Sequence, residues 1–305
     1  MGELPGMLHF PISGVETYWW LPVAVAFLIS TLTSMGGLSG AFILLPFQVS
    51  FLGFSGPGVT PTNLLYNVIS TPSGVWRFHH ERRMVWSLSW TIIIGTLPGV
   101  FLGAIIRTTL LPDPELFKLF VGIVLLFLGI RMSYDLYKTM SRPSAPKSEG
   151  IAFHVVNKQF NLTSIEYEFN GRSYSVKTWK IIGVSFVVGI IGGTYGIGGA
   201  AIIVPFLVGV FGLPIHTVAG AALLGNFMTS IAGVLFYLYL DAVNDNATEP
   251  IRPDWLLGIL LGIGGAMGTY VGARLQRYVS ALAITGLVIV ALLGIAVSYI
   301  IGFLS

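Results

Sequence analysis

The stretch Gly36-Gly37-Leu38-Ser39-Gly40-Ala41-Phe42-Ile43-Leu44-Leu45-Pro46-Phe47 has an echo at Tyr195-Gly196-Ile197-Gly198-Gly199-Ala200-Ala201-Ile202-Ile203-Val204-Pro205-Phe206. An offset of 159 residues relates Pro46 to Pro205, and it also carries Gly37 onto Gly196, Gly40 onto Gly199, Gly53 onto Gly212, Asn67 onto Asn226 and Gly74-Val75 onto Gly233-Val234. Residues 36–78 hold 14 identities in 43 gapless positions, more than chance supplies even in a chain rich in Gly, Leu, Ile and Val. The chain is thus a tandem duplication, and each copy carries a glycine-broken apolar segment near its start. Beyond the third helix the offset grows to 169, as Trp86 to Trp255 and Gly103-Ala104 to Gly272-Ala273 show; the ten extra residues fall in the acidic loop Asp241–Pro250.

Composition places this duplication in a bilayer. Of 305 residues 54% are hydrophobic and 10% charged, with a mean hydropathy of +0.82, whereas soluble domains carry about a quarter charged residues. Apolar runs fill nearly the whole chain, which indicates a multi-spanning protein. The absence of Cys excludes disulfides, thiolate metal sites and Cys nucleophiles. Nothing points to nucleic acid or to a cofactor. Residues 1–18 contain Glu3 and Glu16 but no Lys or Arg, so they lack the basic start of a signal peptide and are expected to be retained.

The pattern predicts an all-α polytopic membrane protein of two repeats, about five transmembrane segments each: a first repeat at 1–138, a polar loop at 139–178 and a second repeat at 179–305. The first spans are short, Trp19–Thr33 and Leu38–Leu52, with glycines between them; they read as partial spans or as a span plus a re-entrant hairpin, and full spans are preferred here. Helices follow at Pro61–His79, Trp86–Ile106 and Leu116–Met132. The second half repeats the order with Trp179–Gly193, Ile197–Phe211, Val218–Leu240, Trp255–Leu275 and Leu282–Phe303. Within the polar loop, Ile165–Phe169, Asn170-Gly171 and Arg172–Val176 read as a β-hairpin that pairs Tyr167 with Tyr174 and Ile165 with Val176.

With five crossings per half, one side collects Arg82, Arg83, Arg131, Lys138, Arg172, Lys177, Lys180 and Arg274, while the other holds Arg107, Lys118 and Arg252 among several acids. That asymmetry places both termini outside and the 139–178 loop in the cytoplasm. An odd number of crossings per half makes the copies inverted relative to each other, a plan common in secondary transporters.

On the third helix Asn63, Asn67, Ser70, Gly74 and Arg77 follow at steps of 4, 3, 4 and 3, a single polar stripe; Asn226, Thr229, Ser230 and Gly233 form its counterpart. Amides in hydrocarbon need partners, so the stripes face the bundle interior, either as helix-to-helix glue or as a site. Glycine rows at 95, 99, 103 and 264, 268, 272 read as close-packing surfaces. The glycine breaks differ. Helices starting after Gly37-Leu38-Ser39-Gly40 and Gly196-Ile197-Gly198-Gly199 would aim free N–H groups at the middle of the protein, where a small anion could bind without a full cation. No acidic residue lies deep in any span, which argues against a carboxylate cation site. Arg77 is either an anion lure at the mouth or an interfacial anchor.

The run Gly-x-Gly-Gly-x-x-x-x-x-Pro at 196–205, the Leu-Pro-x-x-x-x-Ala-Gly at 213–220, the basic turn before Trp86 and the two-copy layout resemble the TauE/SafE family of sulfite and sulfonate exporters. The resemblance implies a bacterial inner-membrane transporter that moves sulfite, sulfoacetate or a related anion outward. Its partners would be a small anionic substrate, the lipid bilayer and protons as a coupling ion; a homo-oligomer is compatible with it. Two other classes stand beside it. A passive anion channel would use the same broken helices, and Gly37-Leu38-Ser39-Gly40 matches the Gly-x-Ser-Gly of intramembrane serine hydrolases, although no His lies within a span to act as base.

Overall fold

A computed structural model describes residues 6–35, 39–81, 84–141, 155–160, 163–169, 171–244, 249–275 and 281–305. The first break is therefore described only from Ser39 onward; Gly36, Gly37 and Leu38 lie outside the described residues, as do Arg82, Arg83 and Asn170.

In chain order the elements are β1 Met7–Phe10, β2 Val15–Tyr18, α1 Trp20–Met35, α2 Ala41–Ser50, α3 Val59–Ser70, α4 Pro72–His80, α5 Trp86–Thr109 and α6 Pro114–Met140. They are followed by β3 Val155–Phe160, β4 Ser164–Phe169, β5 Arg172–Lys177, α7 Thr178–Tyr195, α8 Ala200–Gly209, α9 Ile215–Val243, α10 Trp255–Leu275 and α11 Ala281–Leu304. Helices α5, α6, α7, α9, α10 and α11 are long and apolar enough to cross a membrane.

The two halves are interlocked. The largest helix interfaces are α5 with α7, α1 with α10 and α6 with α11, followed by α5 with α9 and α10 with α3. Under exchange of the halves α5–α7 matches α1–α10, α5–α9 matches α10–α3, and α6–α11 maps onto itself. Glycines set the first two. A Cβ at Gly95, Gly99 or Gly103 of α5 would strike the backbone of Ile182, Phe186 or Ile190 in α7, and one at Gly264, Gly268 or Gly272 of α10 would strike Val23, Phe27 or Thr31 in α1. Backbones approach this closely only where no side chain intervenes.

The same contacts give directions. In α1 against α10 both residue numbers rise together, as they do for α3 against α10 (Leu65 with Gly258, Ile69 with Gly262), for α5 against α7 and for α5 against α9 (Ile92 with Gly225, Val100 with Gly233). Across α3 and α4 against α9 they run oppositely, Leu64 of α3 meeting Gly233 and Gly74 of α4 meeting Leu223. Helices α1, α3 and α10 thus point one way and α5, α7 and α9 the other, so each helix opposes its sequence-matched counterpart. Helix α6 likewise opposes α11, with Gly122 against Tyr299 and Gly129 against Leu293.

Since α1 and α3 are parallel, α2 must carry the chain back between them, and α8 does so between α7 and α9. Here the structure corrects the expected 15-residue spans at 38–52 and 197–211: each helix has 10 residues, about 15 Å or half a hydrocarbon core. Glycine and the non-helical residues around it shorten them. A second correction concerns the helix expected over 61–79. It starts at Val59 and divides into α3 and α4 at Thr71, because Pro72 has no N–H to continue the ladder.

All seven tryptophans are exposed. Trp19, Trp20 and Trp255 lie towards the end where α1 and α10 begin, and Trp76, Trp86, Trp90 and Trp179 towards the end where α5 and α7 begin, the arrangement of interfacial belts. At the first end the β1–β2 hairpin is held by Asp254, which accepts hydrogen bonds from Ser13 N at 3.0 Å and Ser13 Oγ at 2.9 Å and also from Leu257 N at the start of α10. At the other end β3, β4 and β5 form an antiparallel sheet. Tyr167 pairs with Tyr174 and Ile165 with Val176, the register read from the sequence; β3 and the β1–β2 hairpin were not anticipated. Ile165, Tyr167 and Phe169 are buried on one face of this sheet, and Tyr167 Oη meets Thr217 Oγ1 at the start of α9 at 3.0 Å.

Candidate functional site

The breaks of both halves come together in the middle of the bundle. Gly196 ends α7 with φ +84°, and Gly198 follows with φ +64°, both left-handed conformations that glycine adopts without strain. A side chain at Gly196 would collide with the Thr60 carbonyl of α3, and one at Gly198 with Asn226 Oδ1. In the first half Ser39 Oγ donates to Asn67 Oδ1 at 3.0 Å and accepts a longer bond from Ala41 N at 3.4 Å. Each Asn therefore sits against the same repeat position of its own break, Ser39 for Asn67 and Gly198 for Asn226.

Asn67 and Asn226 are fully buried and not fully satisfied. Among the described residues Asn67 Nδ2 and Asn226 Oδ1 have no hydrogen-bond partner, and neither does Ser230 Oγ. Asn226 Nδ2 points to Thr71 Oγ1 at 3.5 Å. Unpaired amide atoms in a dry interior cost about 1–3 kcal/mol each, so a ligand that pairs with this cluster recovers that cost.

The other expected site residues fall into three groups. Gly40 packs beside Tyr66 Oη and Ser30 Oγ, which share a 2.8 Å hydrogen bond, and Gly199 precedes the first turn of α8; these belong to the breaks. Asn63 is a tie between the halves, because its Nδ2 donates to the Ala41 carbonyl at 2.9 Å and the Gly196 carbonyl at 3.0 Å while its Oδ1 accepts from Gln48 Nε2 at 3.1 Å. Thr229 turns back on its own helix, to the carbonyls of Gly225 and Asn226, and Ser70 is buried at the end of α3 against Gly265 of α10. Arg77 is not brought to the centre. It lies beyond the Pro72 break, half-exposed, paired with Glu81 at 3.0 Å. Gly37 lies outside the described residues.

Ser230 stands in the stripe read from the sequence, but two contributors were missed. Thr71 is one: it occupies the position equivalent to Ser230 under the 159 offset, and that offset was the signal that could have found it. Tyr195 is the other. Pro46 inside α2 deprives the Phe42 carbonyl of its helical donor, and Tyr195 Oη from the second half donates to that carbonyl at 2.8 Å. Ser39 as a nucleophile finds no base: its two partners, an amide oxygen and a backbone N–H, cannot take its proton. Among the described residues no cluster of three or more His, Cys, Asp or Glu could hold a metal ion.

A mostly helical bundle with six long apolar helices, aromatic ends and a polar, broken-helix centre is a polytopic membrane protein. The chain belongs to the sulfite exporter TauE/SafE family, whose model matches residues 22–299. It is 24% identical over 263 residues to the probable membrane transporter protein YunE of Bacillus subtilis, covering 84% of this chain and 87% of that protein. It is 35% identical over 101 residues to the probable membrane transporter protein YdhB of the same organism, covering 33% and 37%. No solved structure matches.

Proposed function

We propose that this family member is a secondary transporter that exports small sulfur oxyanions, sulfite or a two-carbon sulfonate such as sulfoacetate, across the inner membrane by alternating access. The observation that carries the reading is the unpaired polar cluster of Asn67, Asn226 and Ser230 beside both helix breaks. It offers N–H and O–H donors with no cation, which suits an anion that must be released again. The opposed directions of matched helices support an inverted-repeat plan, in which one half can rock against the other.

Orientation follows from charge. Arg77, Arg131, Lys138, Arg172, Lys177, Lys180 and Arg274 lie towards the end that carries the β3–β5 sheet; Arg107, Lys118 and Arg252 lie towards the other, with Asp113, Glu115, Asp241, Glu249 and Asp254. The sheet end is assigned to the cytoplasm, with Gly6 and Ser305 outside. An inward-negative potential then favours anion exit by about 2.3 kcal/mol per charge per 100 mV.

The test is sulfite flux in proteoliposomes, competed with sulfate, thiosulfate, sulfoacetate and acetate. Saturable, competed flux that falls at least tenfold in Asn67→Ala and Asn226→Ala is the expected result. Unchanged flux in both variants would remove the site, and non-saturable flux would favour a channel.

A further inference from the structure

The two halves are not equivalent at their centre. Under the repeat offset Asn67 matches Asn226, Thr71 matches Ser230 and Ser39 matches Gly198. Asn226 Nδ2 reaches Thr71 Oγ1, so symmetry would join Asn67 Nδ2 to Ser230 Oγ. That bond is not made, and both atoms are buried without a partner. Asn67 Oδ1 receives the Ser39 hydroxyl, so symmetry would give Asn226 Oδ1 a donor too. Gly198 has no side chain to offer, and Asn226 Oδ1 is buried and unpaired as well.

Three atoms are thus left over on the facing helices α3 and α9. Antiparallel packing, with Leu64 at Gly233 and Thr71 at Asn226, sets Asn67 near the level of Ser230 and one helical turn from Asn226. Asn67 Nδ2 is a donor, Ser230 Oγ can donate, and Asn226 Oδ1 only accepts. Asn67 takes this sense from the Ser39 hydroxyl that its Oδ1 accepts, and Asn226 from the donation of its Nδ2 to Thr71 Oγ1.

We infer that this cluster takes the acid form of an oxyanion, bearing one negative charge and one O–H: its oxygens accept from Asn67 and Ser230, and its own O–H donates to Asn226. The inference rests on the transport reading above. For sulfite the species is hydrogensulfite, and the coupled proton crosses on the substrate and needs no relay of side chains.

The surroundings agree. The tyrosines buried on the elements packed about the cluster are already engaged, Tyr66 with Ser30, Tyr195 with the Phe42 carbonyl and Tyr237 with the Gly193 carbonyl. The charged groups on those helices sit at their ends, Arg107, Asp241 and Asp254 at one, and Arg77, Lys180 and Arg274 at the other, while His79 and His80 lie exposed beside Arg77. Helices α2 and α8 carry no titratable residue. Arg131 of α6 packs on α8 but is spent on the Pro205 carbonyl, and among the described residues no cation is paired with the cluster, so a second negative charge would raise the desolvation cost steeply. A fully ionised oxyanion would also set lone pairs against Asn226 Oδ1 and leave it unsatisfied.

The test is initial-rate sulfite uptake into proteoliposomes at several pH values on both sides of the second ionisation of sulfurous acid, after subtraction of protein-free vesicles. We expect KM in total sulfite to rise about tenfold per pH unit above that ionisation, and to stay constant when expressed as hydrogensulfite. Sulfate should compete poorly. Asn226→Leu should lower sulfite flux about ten- to a hundredfold and erase the preference over sulfate, whereas Asn67→Leu should weaken both anions alike. Saturable flux whose KM in total sulfite is flat or falls with pH would overturn the acid-anion assignment and leave the transport reading standing. The absence of saturable flux from folded protein at every pH would overturn both.

Discussion

Tyr195 Oη donates to the Phe42 carbonyl at 2.8 Å, across the boundary between the two halves and onto the one carbonyl of α2 that Pro46 leaves without a helical donor. Each partner explains the other. Tyr195→Phe is expected to lower stability by about 1–3 kcal/mol, the cost of a buried unpaired carbonyl. In a Pro46→Ala background the restored N–H reaches Phe42, and the same substitution should cost clearly less. Thermal unfolding of the four proteins in detergent checks the coupling; equal costs in both backgrounds would refute it.

The parallel interfaces of α5 with α7 and α1 with α10 make another prediction. Gly99→Ala and Gly268→Ala push a methyl group onto the carbonyls of Phe186 and Phe27, and each should cost about 1–3 kcal/mol. Gly183→Ala and Gly294→Ala meet nothing within 4 Å and serve as controls, neutral or slightly stabilising in the same melts.

Asn63 and Asn67 lie one turn apart on α3 but act differently. Asn63→Leu severs bonds to Ala41, Gly196 and Gln48, so the expected loss, several kcal/mol at most, falls on stability. Asn67→Leu removes one accepted bond and one unpaired donor. Its melt should lie close to wild type while its flux collapses. A reversed pattern, with Asn63→Leu stable but inactive, would move the site one turn along the helix.

The sheet responds to alkali. Burial pushes the Tyr167 hydroxyl up to about 12, with the Thr217 hydrogen bond acting in the opposite direction and the neighbouring Tyr174 adding to the rise. A folded value above the unfolded one, about 10, means that this contribution is fully present below pH 10 and is lost as pH rises towards 12. Melting temperature should fall over that window more steeply in wild type than in Tyr167→Phe; parallel curves would show that the hydroxyl is not docked.

Because the natural chain has no Cys, single cysteines report sidedness cleanly. Ser173→Cys in β5 and Ser305→Cys at the end of α11 should label from opposite sides with an impermeant maleimide in intact cells, Ser305 from outside. Labelling of both from one side would contradict the proposed orientation.

The repeat and the glycine rows were legible in the sequence because close backbone packing leaves no alternative to glycine at every fourth position. Which helix each row would meet was not legible, since nothing local to Gly268 specifies Phe27 some 240 residues away. The division of the third helix was written in Pro72, but the stripe of Asn63, Asn67, Ser70, Gly74 and Arg77 ran through it and concealed it. The inequality of the two halves could not have been read from residues 67 and 226, which are both Asn. It arises from the side chains opposite them, Ser39 against Gly198 and Ser230 against Thr71, and so from tertiary placement.

The exchange of helices between halves bears on how the protein is made. Helix α1 leaves the ribosome about 220 residues before its partner α10 begins, roughly ten to forty seconds at ordinary synthesis rates. During that interval α1 waits in the membrane with lipid where the glycine-lined α10 will later sit, and α5 waits for the shorter stretch, about 70 residues, until α7 begins. A first half expressed alone would keep both surfaces open, so the duplicated chain matures as one indivisible unit, completed only when its last helices arrive.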